Sequence, residues 1–139
     1  MNLWLLKTEP NEYSFQDLIK DQKTTWDGVK APGALKYMRS MKKGDQALIY
    51  HTGKEKAVVG TARIISDPNP DPDQENDRFL VVDIEAGAPL KQPVTLSAIK
   101  KSELFIDWEL VKQPRLSIMP VNKKYWDTII AWGSGPEQH

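Results

Sequence analysis

No apolar run in this chain is long. The first, Leu3-Trp4-Leu5-Leu6, meets Lys7 at once, and Pro10 follows soon after. Ten prolines and eight glycines punctuate the 139 residues. A chain interrupted so often builds short elements and must assemble its core from several of them. A membrane span needs about 20 consecutive apolar residues, and a secretory signal needs an apolar core of about 7–15. Neither is expected, and the expected setting is soluble and cytoplasmic. A chain of this length buries roughly 68% of its unfolded surface, so a single domain over residues 1–139 is expected.

The local signals alternate between strand and helix. Leu3 to Thr8 reads as a strand with Trp4 and Leu6 on one face and Leu5 on the other. Ser14 and Asp17 form an S-x-x-D capping box ahead of a helix carrying Phe15, Leu18 and Ile19, with Tyr13 and Leu18 as its staple. Trp26-Asp27-Gly28-Val29 reads as a loop. Ala34, Leu35, Met38 and Met41 mark a second helix, closed by Lys42-Lys43-Gly44. Residues 46–52 and 57–66 read as a hairpin joined through Gly53-Lys54-Glu55.

Phe79 to Ala86 alternates as a strand, and Pro93 to Leu96 reads as a short extended piece before a brief helix over 97–101. Leu116 to Met119 is a further strand. Asn122 caps a last helix with Trp126, Ile129 and Ile130 on its buried face, and the tail after Trp132 is expected to fray. The expected class is α+β: five or six short strands curled into a small β-barrel, which removes their edges, with short flanking helices.

Composition narrows the chemistry. The chain has no cysteine, which excludes disulfides, thiolate metal sites and cysteine nucleophiles. Its histidines are His51 and His139, so a His-rich metal site is excluded too. Neither a metal nor a cofactor is expected. Net charge is zero, yet residues 67–78 hold five acids and one base, leaving 18 bases and 14 acids elsewhere. A modest basic face is therefore available.

No nucleophile elbow, dinucleotide fingerprint, phosphate loop or zinc-protease motif occurs. Gly133-Ser134-Gly135 lies in the tail, where no rigid turn would hold a nucleophile. Two-carboxylate catalysis would need Glu9 and Asp27 to meet in space. Three segments carry more: Trp4 to Pro10, Trp26 to Lys30, and Ile49 to Gly53. Together they offer flat rings, a cation, carboxylates and hydroxyls, a set able to sandwich a planar heterocycle and bond its edge. Trp4, Trp108 and Trp126 also read as core, and Trp26 stands open between the two roles. Tyr50 and His51 are adjacent in a strand and point to opposite faces, so one pocket does not readily take both.

Read in order, Trp4-Leu5-Leu6-Lys7-Thr8-Glu9-Pro10, Tyr13-Ser14-Phe15, Trp26-Asp27-Gly28-Val29, Met38 to Asp45, Tyr50-His51-Thr52 and Arg115 to Val121 resemble the EVE domain, a member of the PUA-like group. The resemblance implies a small barrel with a pocket for a flipped, modified base, usually a modified cytosine in DNA. It implies Trp26 stacking on the base, Lys7, Thr8 and Glu9 along its edge, and Tyr50, His51 and Thr52 as another wall. Arg115 and Ser117 fall near the rim, Lys30 is placed to contact phosphate, and Trp4 and Asp27 complete the candidate set. The chain departs from the family pattern after Trp-Asp-Gly-Val, where Lys30-Ala31 replaces Arg-Asn. The expected function is a non-enzymatic, monomeric reader of modified DNA or RNA, with no membrane or metal partner. The competing readings are an enzyme acting on the flipped base and a small-molecule or protein-interaction sensor.

Overall fold

The computed structural model describes residues 1–135. Its strands are β1 (Leu3–Thr8), β2 (Lys23–Trp26), β3 (Gln46–His51), β4 (Ala57–Ile64), β5 (Asn69–Pro70), β6 (Leu80–Thr95) and β7 (Ile118–Pro120). Its helices are α1 (Phe15–Asp21), α2 (Pro32–Arg39), α3 (Leu96–Lys101), α4 (Glu109–Lys112) and α5 (Lys123–Gly133), with one 3-10 turn at Glu103–Phe105. The expected fraying after Trp132 falls partly on residues 136–139, which lie outside the described residues.

The strands form one mixed sheet in the order β2-β6-β4-β3-β1-β7, with β5 paired to β6. β1 runs parallel to β3, and every other pairing is antiparallel. The expected α+β class is what the structure shows, with one correction to its geometry. The barrel-like sheet is open, because β2 and β7 end the path without pairing to each other. Short length limits both edges, with four residues in β2 and three in β7.

Each face of the sheet buries its own core. Trp4, Leu6, Ala47, Ile49, Ile64, Val82 and Ile84 face α1 and α2, with Phe15, Leu18, Leu35 and Met38. Leu5, Leu48, Tyr50, Val58 and Val94 face the C-terminal half, with Phe105, Trp108, Leu110 and Ile129. Strand alternation divides the residues between the two cores, as Leu3 to Leu6 foretell.

Local chemistry sets the helix starts. Ser14 accepts from the Asp17 N–H at 3.0 Å, and Asp17 accepts from the Ser14 N–H at 2.9 Å, which completes the capping box. The bonds from the Ser14 backbone and hydroxyl hold the Asp17 carboxyl below its usual range. That support is present at neutral pH and is lost as pH falls through the lowered value. α1 then lays Phe15 on β4 at Gly60, where any Cβ would collide with the ring.

β2, β5 and β6 differ most from the sequence reading, which has no strand at Asn69–Pro70. β2 occupies Lys23–Trp26, part of which reads as loop, and pairs with Val82 to Glu85 of β6. β6 is a single strand through Pro93, because register shifts opposite Val58, Gly60 and Ala62 absorb its glycine and prolines.

Asp45 ties the start of β1 to the entry of β3. Its buried carboxylate accepts from the Asn2 N–H (2.9 Å), the Trp4 indole N–H (3.0 Å) and the Lys42 N–H (2.9 Å). Asp45→Ala leaves the buried indole donor unpaired and is expected to cost about 1–3 kcal/mol. A urea midpoint unchanged from the parent would refute this.

Candidate functional site

Residues from β1, β2 and the turn before β7 share an open cleft of about 770 Å³. That is within the usual range for small-ligand sites, roughly 300–1,000 Å³. Lys7, Thr8 and Glu9 line it from the end of β1, Glu12 and Tyr13 from the approach to α1, and Ser117 from the turn before β7. Thr24, Thr25 and Trp26 come from β2, followed by Asp27 to Ala31. Gly28, at φ +74°, turns this segment from β2 toward α2.

An aromatic corner forms one wall. Tyr13 meets Trp26 edge-on, with centroids 6.4 Å apart and planes at 84°. The Tyr13 hydroxyl donates to Asp21 Oδ2 at 2.9 Å, which fixes its ring. Trp26 is partly buried against the core under α1 and α2, and its indole N–H has no hydrogen-bond partner among the described residues.

The polar wall is held by backbone bonds. The Lys7 N–H donates to the Ser117 carbonyl at 3.0 Å, and the Thr8 hydroxyl donates to the Tyr13 carbonyl at 2.6 Å. Glu9 Oε1 accepts from the Asn11 N–H at 2.9 Å. The Lys7 ammonium donates to the Pro114 carbonyl at 2.9 Å and stands 5.5 Å from the centre of the Tyr50 ring. Burial pushes the Lys7 ammonium below its ordinary pKa and pushes the Tyr50 hydroxyl up to about 12. Asp27 and Lys30 are exposed and make no ion pair with any described residue. No cluster of three or more His, Asp or Glu able to hold a metal occurs among the described residues.

Seven of the expected site residues line the cleft: Lys7, Thr8, Glu9, Trp26, Asp27, Lys30 and Ser117. Five do not. Trp4 is core, with its indole spent on Asp45. Tyr50 lies in the core on the opposite face of the sheet. His51 is 3% exposed, and its Nε2 accepts from the Phe15 N–H at 2.9 Å. That bond requires an unprotonated Nε2, so the ring proton sits on Nδ1, 2.7 Å from Glu55 Oε1. Thr52 is occupied with β1, donating its N–H to the Thr8 carbonyl at 2.9 Å. Arg115 is exposed on the turn before β7, beyond the cleft lining.

Tyr13, Thr24 and Thr25 are cleft residues that the sequence reading missed. The β-branched pair ahead of Trp26 was the available signal for an edge strand.

The Lys30-Ala31 departure has a structural consequence. Ala31 is the N-cap of α2 and supplies no side-chain bond to it. An asparagine at this position is a strong cap. Ala31→Asn is therefore expected to stabilise the fold by about 0.5–2 kcal/mol, and a melting temperature that stays put or falls would count against it.

A curled mixed sheet with short flanking helices and an aromatic and polar cleft at its strand ends defines a small α+β module. The chain belongs to the EVE domain family, whose model matches residues 2–132. Chicken thymocyte nuclear protein 1 is 30% identical to it, over 92% of this chain and 67% of that protein. The NMR structure of a Rhodopseudomonas palustris protein superposes with a TM-score of 0.92 at 37% identity, covering 100% of this chain and 97% of that one. The crystal structure of the human THYN1 protein in complex with 5-methylcytosine-containing DNA superposes at 0.89 with 25% identity, covering 99% and 100%. Among the described residues no helix is long and apolar enough to cross a membrane.

Proposed function

We propose that this chain is a non-enzymatic DNA-binding module that takes a modified cytosine, flipped from its stack, into the cleft. The observation that carries the reading is the composition of the cleft walls. The Trp26 indole, braced by Tyr13, offers a π-face beside the polar edge of Thr8, Glu9, Asp27 and Ser117. Whole-chain similarity to a relative whose structure holds 5-methylcytosine DNA supports the same partner here.

The energetics suit a reader. Extruding a base costs a few kcal/mol, and stacking on an aromatic ring returns about 1–3 kcal/mol. Phosphate contacts supply the remainder, so binding is modest and sensitive to salt. The deciding experiment titrates the protein with matched oligonucleotides carrying cytosine or 5-methylcytosine and checks the recovered strands by mass spectrometry. Preference for the modified strand with unchanged mass is expected. Equal affinity for both strands rejects the reader, and a changed mass makes the protein an enzyme.

A further inference from the structure

We infer that a second groove, formed by the β3–β4 turn and α3, holds the phosphate backbone of the strand whose base enters the cleft. This rests on the reading of the cleft as a base pocket and extends it to a separate surface. The groove has a volume of about 540 Å³, and four lysines line it: Lys54, Lys56, Lys100 and Lys101. All four are exposed, and none of their ammonium groups forms an ion pair or hydrogen bond with any described residue. Its one acid, Glu55, is bonded to the Nδ1 of buried His51. Unpaired cations around one engaged carboxylate favour a polyanion over an acidic or neutral surface.

The backbone holds the lysines together. Lys56 adopts φ +45°, rare for a residue with a side chain, and its carbonyl accepts the Leu96 N–H at 2.7 Å. Thr95 pairs with Ala57, so the turn bearing Lys54 and Lys56 is fastened to the helix bearing Lys100 and Lys101.

Groove and cleft approach each other at the β3–β4 turn. Glu9 of the cleft lies against Gly53, where an added Cβ would sit 3.2 Å from its Oε2, and Lys54 is the next residue. A strand with one base in the cleft meets the lysines as it leaves. Phosphate contacts of this kind set position and affinity without reading sequence.

The test measures affinity for 5-methylcytosine and plain oligonucleotides between about 50 and 200 mM salt. It compares the parent with K54Q/K100Q/K101Q, which spares the unusual backbone of Lys56, and with K123Q/K124Q at the start of α5. The groove variant should flatten the slope of log affinity against log salt by roughly 2. It should weaken both oligonucleotides by the same factor, while K123Q/K124Q keeps the parent slope. An unchanged slope in the groove variant, or equal flattening in K123Q/K124Q, overturns the inference. If the parent does not distinguish the two oligonucleotides but the groove variant still loses slope, the base reading fails and the groove stands. A parent that binds neither oligonucleotide overturns both.

Discussion

Trp26→Ala should weaken binding to a 5-methylcytosine oligonucleotide by roughly 1–3 kcal/mol, or about 5- to 150-fold. The fold should survive. Trp26 closes the end of β2, packed against the core under α1 and α2 and lining the cleft. Truncation therefore removes the stacking surface while giving up only part of a tryptophan's packing. Stability should fall by less than the roughly 3–5 kcal/mol typical of a core tryptophan. Trp26→Phe keeps a smaller π-face and should recover part of the affinity. Full affinity in the alanine variant would remove Trp26 from the site, and wholesale unfolding would make it a core residue.

Trp108→Ala should do the opposite, with a loss of about 3–5 kcal/mol of stability. Trp108 is 1% exposed, and its indole N–H donates to the Pro120 carbonyl at 3.1 Å. Its ring packs 5.6 Å from Phe105 and 5.1 Å from Tyr125, centre to centre. Removing it opens a cavity under the C-terminal helices and breaks their tie to β7. Urea denaturation measures the loss, and a drop under about 1 kcal/mol would contradict the core assignment. Trp126 also reads as core in the sequence. In the structure it is only partly buried beside the same cluster, so its truncation should cost less.

The helix caps were legible because their chemistry is local. Ser14 with Asp17 and Asn122 ahead of α5 cap as their spacing announces. The β3–β4 hairpin was legible for the same reason. β2 was not, since Lys23-Thr24-Thr25-Trp26 lacks apolar alternation and is a strand through its pairing with β6. The full length of β6 was hidden by Pro89 and Pro93, residues that normally end a strand and here fall where the register shifts.

The candidate site divides along the same line. Lys7, Thr8 and Glu9 run through the end of β1 and stay together along the cleft, as do Trp26, Asp27 and Lys30 from the end of β2 onward. Tyr50 and His51 point to opposite faces by strand alternation, as their adjacency announces, and contacts from distant elements decide what each one meets. The Tyr50 ring goes to the core facing the C-terminal half, and the His51 imidazole accepts the first N–H of α1. Residue order and side-chain chemistry were enough for the family, the element types and the aromatic-polar character of the pocket. Which of those side chains remain free to meet a ligand depends on partners such as Asp45 for Trp4 and Phe15 for His51. Those partners are 41 and 36 residues away, and packing of the sheet and α1 brings them together, a long-range outcome that no local pattern encodes.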